Sequence, residues 1–108
     1  MPEKIYTIEL VGDIFILVYF ITEKGEVGNF VVKLNLVIGE SIFELARYDG
    51  GLHAPHLDIL KPDGSKYRTV DYDTLANAQA VNVAIEDFRN NWEFYLERWK
   101  KWLEKRKS

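Results

Sequence analysis

The chain has 108 residues, 47% of them hydrophobic and 29% charged, with a formal charge of −3 at pH 7. That length and composition describe one globular domain with a single core, and exclude a fibrous or disordered chain. The absence of cysteine excludes a disulfide framework and any thiolate metal site.

The longest apolar run, Ile14 to Ile21, has eight residues. A membrane span needs about 20, so no membrane association is expected. The start, Met1-Pro2-Glu3-Lys4, is charged and lacks the apolar core of a signal peptide. A cytoplasmic protein is the expectation.

In chain order, Lys4 to Val11 alternates Tyr6, Ile8 and Leu10 with Thr7 and Glu9, the pattern of a half-buried strand. Gly12-Asp13 turns the chain into Ile14–Thr22, which is apolar on both faces and is predicted to be central or covered on both sides. A polar hairpin loop, Glu23-Lys24-Gly25-Glu26, follows. Phe30, Val32, Leu34 and Leu36 form the apolar face of a third strand. After Gly39-Glu40 comes a fourth, Ser41–Tyr48, with Phe43 and Leu45 expected on one face and Glu44 and Ala46 on the other. Asp49-Gly50-Gly51 reads as a turn, and His56–Leu60 resumes the alternation. Lys61-Pro62-Asp63-Gly64-Ser65 is a strong turn signal before a last short strand, Lys66–Tyr72. Strands of this spacing with glycine turns predict an antiparallel meander.

Asp73 or Thr74 is placed to cap a final helix. Its apolar positions, Ala78, Val81, Ile85, Phe88, Trp92, Tyr95, Trp99 and Trp102, alternate spacings of three and four, a heptad seam. Asn90-Asn91 is its weakest point. The prediction is an α+β domain, with an antiparallel sheet of about six strands in residues 1–73 and one long C-terminal helix in residues 74–106.

A helix from Leu75 to Lys105 spans roughly 46 Å. A compact chain of this size has a radius of gyration of about 13 Å. The helix is therefore expected to overhang its sheet or bend near Asn90, leaving three tryptophans to be covered by a second copy of the chain. The charge is also uneven. Residues 1–73 hold 7 basic and 12 acidic side chains, and residues 74–108 hold 7 basic and 5 acidic. The basic excess is Arg98, Lys100, Lys101, Lys105, Arg106 and Lys107. It suits an acidic partner such as RNA, or is a solvated face with cations favourably placed at a helix C-terminus.

The stretch Arg47-Tyr48-Asp49-Gly50-Gly51-Leu52-His53-Ala54-Pro55-His56-Leu57-Asp58 holds both histidines. If the strands through Arg47 and Asp58 pair as a hairpin, Arg47, Asp49, His53, His56 and Asp58 can converge at one end of the sheet. Three readings stay open. His53, His56 and a carboxylate can bind a divalent metal. A histidine can act as general acid or base, oriented by an aspartate, with Arg47 stabilising an anionic phosphate, a set suited to RNA phosphodiester cleavage. Or the arginine and an aspartate form an ion pair, and the histidines are satisfied by backbone groups.

Arg47-Tyr48-Asp49, followed by His53, His56 and an aspartate, resembles a pattern in small prokaryotic proteins grouped with the TumE-type toxins. The likeness covers roughly residues 43–64, with a loosely similar C-terminal helix. It implies a toxin of a toxin–antitoxin pair, an RNase or nucleotidyl-transferring protein, with an antitoxin protein as partner and with Arg47, Asp49, His53 and His56 as the matching positions. The sequence departs from the pattern where Leu52, Ala54 and Pro55 replace a basic, glycine-rich approach to the histidines. The alternative reading is a non-catalytic homodimeric interaction module with structural histidines.

Overall fold

The computed structural model describes residues 2–107, apart from the side chains of Arg106 and Lys107, which leaves those two members of the basic tail outside the described set. Six strands precede one helix: β1 (Glu3–Val11), β2 (Ile14–Glu23), β3 (Glu26–Ile38), β4 (Ser41–Gly50), β5 (His56–Leu60), β6 (Lys66–Asp71) and α1 (Asn77–Lys107). Each strand pairs antiparallel with the next, in the order β1-β2-β3-β4-β5-β6, so the fold is the α+β meander the alternation predicts. The doubly apolar β2 stands between β1 and β3. Its hairpin to β3 turns on Lys24 and Gly25, with φ of 54° and 78°. Two successive left-handed residues match the right-handed twist of the flanking strands.

One face of the sheet makes the core. Ile14, Ile16 and Val18 of β2, Phe30, Val32 and Leu34 of β3, and Ala46 and Tyr48 of β4 pack with Ala80, Val81, Ala84, Phe88, Tyr95 and Trp99 of α1. The two alanines, both fully buried, put only methyl groups on the first half of that helix face. Phe88 stacks at 5.2 Å from Tyr48 and 5.4 Å from Tyr95, measured between ring centroids.

The helix differs from its sequence reading in three ways. It begins at Asn77, and neither Asp73 nor Thr74 caps it. A turn closed by Leu75 N–H donating to Tyr72 O carries the chain past them. The Ala76 carbonyl accepts the bond from Ala80, and Gln79 Oε1 accepts from Ala76 N–H, which is half of a capping box. There is no break at Asn90; Asn91 Nδ2 instead donates to Asp87 Oδ1, one turn back, at 2.7 Å. Finally, the seam is not left overhanging. Trp99 is 3% exposed and lies 5.4 Å from Phe43, and Trp102 lies 5.6 Å from Tyr67. The domain measures 51 × 26 × 22 Å, long enough in one dimension for a helix of about 46 Å. The elongated sheet covers the seam within one chain, so the seam by itself does not call for a second copy.

A further correction lies in β4. The β3–β4 register runs Leu34 to Ala46 and then Asn35 to Glu44, so Leu45 is an extra residue. This bulge buries Leu45 and Ala46 in succession and breaks the expected alternation. Glu44 and Ala46 therefore do not share a face. Glu44 instead comes to the same side as Arg47, three residues on, and forms an ion pair with it.

No helix among the described residues is long and apolar enough to cross a membrane. The sheet face away from α1 carries no helix. Its β1–β3 half is mixed, with Ile5, Phe15, Leu17, Tyr19 and Val31 in paired positions beside Thr7, Glu9, Lys33 and Asn35. Its β4–β6 half is charged.

Candidate functional site

The charged half is built by two neighbouring rows of cross-strand pairs. One row runs Lys33, Arg47, Asp58, Thr69 across β3 to β6, and the next runs Val31, Asp49, His56, Asp71. Directly paired residues on one face sit close enough to interact. The second row exists because β4 continues to Gly50. Asp49 is thus a ladder residue opposite His56, not the start of a turn.

The reversal is held to Gly51, where φ is 113° and a side chain would collide with Asn29. A Cβ on Gly50 would lie 2.7 Å from the Phe30 ring. The Gly-Gly pair is required because the chain leaves the β3–β4 ladder pressed against Phe30, Asn29 and the Pro55 backbone. Pro55 is buried and its carbonyl accepts from Tyr72 N–H, which fixes where β5 begins.

His56 occupies the centre. Its Nε2 lies 2.9 Å from Asp49 Oδ1 and 3.5 Å from Asp58 Oδ2. Its Nδ1 lies 3.0 Å from the Ala54 carbonyl oxygen. That oxygen can only accept, so Nδ1 carries a proton and donates. Nε2 is left with two states. Either it is also protonated, as imidazolium, or its lone pair points between two carboxylates.

Asp58 is 1% exposed although no helix covers it. Its neighbours on the face enclose it: Thr69 Oγ1 donates to Asp58 Oδ1 at 2.7 Å, and Lys66 Nζ lies 3.5 Å from Oδ2. Asp49 bridges His56 and Arg47, whose Nε lies 3.5 Å from Asp49 Oδ2. Arg47 is held from the other side by Glu44 at 3.5 Å, and Glu44 also pairs with Lys33 at 3.2 Å. A buried carboxylate is tolerated only when paired and hydrogen-bonded in this way.

Of the five residues singled out in the sequence, four come together: Arg47, Asp49, His56 and Asp58. His53 does not join them. It is exposed in the β4–β5 loop, where its carbonyl accepts from Gly51 N–H. It lines a shallow cavity of about 350 Å³ with Tyr19, Phe30, Val31 and Leu52, reached by Asp49 from its edge. The metal candidate thus changes from a His-x-x-His pair to Asp49, His56 and Asp58, whose ligand atoms lie within 4.8 Å of one another. Lys33, Glu44, Lys66 and Thr69 were missed. Aligning the predicted strands as a meander would have found Lys33 and Thr69, which share the Arg47–Asp58 row. Glu44 was hidden by the bulge.

On the helix side, a half-buried carboxylate sits at the margin of the core. Asp87 of α1 accepts hydrogen bonds from Tyr48 Oη at 2.7 Å and from Tyr95 Oη. Burial, and then the hydrogen bond to Asp87, pushes both phenols well above the ordinary tyrosine value of 10.0.

A meander sheet covered on one face by a single long helix, with a carboxylate–histidine cluster on the bare face, defines a small α+β protein with one candidate site. The chain belongs to the DUF7718 family, described as a domain of unknown function, which matches residues 1–105. No curated protein and no solved structure matches it. The likeness to TumE-type toxins therefore rests on the motif residues alone.

Proposed function

We propose that the chain binds a divalent cation through Asp49, His56 and Asp58 and uses it for phosphodiester chemistry on RNA. The observation that carries this reading is the fixed imidazole: Nδ1 on the Ala54 carbonyl aims Nε2 between two carboxylate oxygens. One imidazole and two carboxylates suit Mn²⁺ or Zn²⁺. Such an ion supplies a polarised water at neutral pH. Arg47 is engaged by Glu44 and Asp49, so its role is to position Asp49 rather than to grip a phosphate. Lys66, mostly exposed at the rim beside Asp58, is the cation placed to meet an incoming phosphate. The likeness to toxins of toxin–antitoxin modules supports RNA as the substrate.

The test is incubation of end-labelled RNA with the protein and Mn²⁺ or Zn²⁺. Cleavage that disappears with EDTA and with His56→Ala supports the reading; RNA left intact with both ions overturns it.

A second reading, a homodimeric interaction module, is favoured by a different observation. Ile5 is 66% exposed and Ile42 62% exposed, both on the helix-free face. Ile5 stands in the row of Tyr19 and Val31 and Ile42 at the opposite corner beside Val37, and exposed apolar side chains spread over one bare face mark a broad contact surface. In this reading the dimer forms through the bare sheet rather than through α1. A solution mass of about twice 12.6 kDa that falls to 12.6 kDa in Ile5→Lys/Ile42→Lys would support it.

A further inference from the structure

The fold accounts only in part for one stripe of α1, whose Trp102 rests on Tyr67 while Phe94 and Lys101 stay exposed. Trp92, Tyr95 and Trp99 belong to the side packed on the sheet. Phe94, Arg98, Lys101, Trp102 and Lys105 follow a neighbouring line at helical spacing and turn toward β6. Phe94 is 56% exposed, which gains the core nothing. Together with Tyr67 these residues line a cleft of about 290 Å³, and Glu97 is the only carboxylate among its lining residues.

The cleft interleaves rings and cations. The Arg98 guanidinium lies 5.1 Å from the centre of the Tyr67 ring and 5.3 Å from that of Phe94, and its Nη1 donates to Tyr67 Oη at 2.8 Å. Lys61 and Lys105 approach the Trp102 ring at 4.4 and 5.0 Å. The lining is thus positively charged in a chain whose net charge is −3. Aromatic rings interleaved with cations are a means by which proteins hold single-stranded nucleic acid: bases replace the side-chain cations on the ring faces, and the released cations meet the phosphates. A duplex hides its base faces, and an acidic peptide has no use for the rings.

We infer that the cleft between β6 and the C-terminal half of α1 binds single-stranded nucleic acid, with bases stacked on Tyr67, Phe94 and Trp102 and phosphates on Arg98, Lys101 and Lys105. This surface stands apart from the metal reading. The two are connected through β6, where Lys66 turns to Asp58 on the bare face and the next residue, Tyr67, lines the cleft. A strand held in the cleft reaches the Asp49–His56–Asp58 cluster by rounding the edge of the sheet.

The test is fluorescence anisotropy with a labelled twelve-nucleotide single-stranded RNA, its DNA equivalent and the matching duplex, all in EDTA so that binding is read without cleavage. The wild type should bind both single strands more tightly than the duplex, with a slope of about −2 in log affinity against log salt, as three phosphate contacts require. Phe94→Ala and Lys101→Glu, both at exposed positions, should each weaken binding about tenfold while leaving the melting temperature unchanged. A wild type that binds no more tightly than Lys101→Glu, that prefers the duplex, or that binds polyglutamate equally well would overturn the inference. His56→Ala should bind the single strand as the wild type does, whether or not the cluster proves catalytic.

Discussion

His56 Nε2 lies 2.9 Å from Asp49 Oδ1 because the two residues face each other directly in the β4–β5 ladder. Their separation is fixed by backbone pairing. The loop adds the Ala54 carbonyl that orients the ring, while its own histidine, His53, stands outside the cluster.

The first prediction follows from that division. His53→Ala should leave stability within about 0.5 kcal/mol of the wild type, as exposed substitutions usually do. It should also leave any metal binding or RNA cleavage intact, whereas His56→Ala should abolish both. Parallel melting curves and activity assays check this. Equal losses from the two variants would restore the His-x-x-His reading.

Stability at high pH should depend on the tyrosines around Asp87. Tyr48 and Tyr95 are harder to ionise folded than unfolded. The stabilisation this represents is whole below pH 10, where the unfolded phenol is still protonated. It is lost progressively as pH rises above that value toward the folded one. In an ultraviolet titration of the six tyrosines, at least two should ionise only as the circular dichroism signal collapses. Complete ionisation of a folded chain would contradict the burial of these groups. Tyr95→Phe should remove one late-ionising phenol.

Much of this fold was legible because period and position carried it. β1 to β6 were visible in alternation and glycine turns, and α1 in the seam from Ala78 to Trp102. Three features were not. The bulge at Leu45 adds a residue without any glycine or proline to announce it, and it reverses which side chains share a face. The helix start was hidden because Gln79 reaches back to the Ala76 N–H while the better capping residues, Asp73 and Thr74, lie in the preceding turn. The overhang was a length argument, and it failed because a sheet whose β3 has 13 residues makes an elongated domain. At the site, spacing brought Arg47, Asp49, His56 and Asp58 together correctly. It could not exclude His53, because a loop residue has no register.

The buried seam yields a prediction about the isolated chain. Trp99→Ala should cost about 3–5 kcal/mol, the usual cost of emptying a packed aromatic site. Phe88→Ala, beneath Tyr48 and Tyr95, should cost a similar amount. Urea titrations measure both. If α1 were instead a dimer interface, Trp99→Ala would lower the solution mass while leaving the unfolding transition in place.

The central claim is that Asp49, His56 and Asp58 hold a divalent ion, and calorimetric titration with Mn²⁺ and Zn²⁺ tests it most directly. The wild type should bind one ion per chain, less tightly as the pH falls, since protons compete with the metal for the imidazole. Asp58→Asn should retain the Thr69 contact and the fold yet weaken binding by at least about tenfold. Flat titrations with both ions, or an Asp58→Asn variant that binds as the wild type does, would contradict the account.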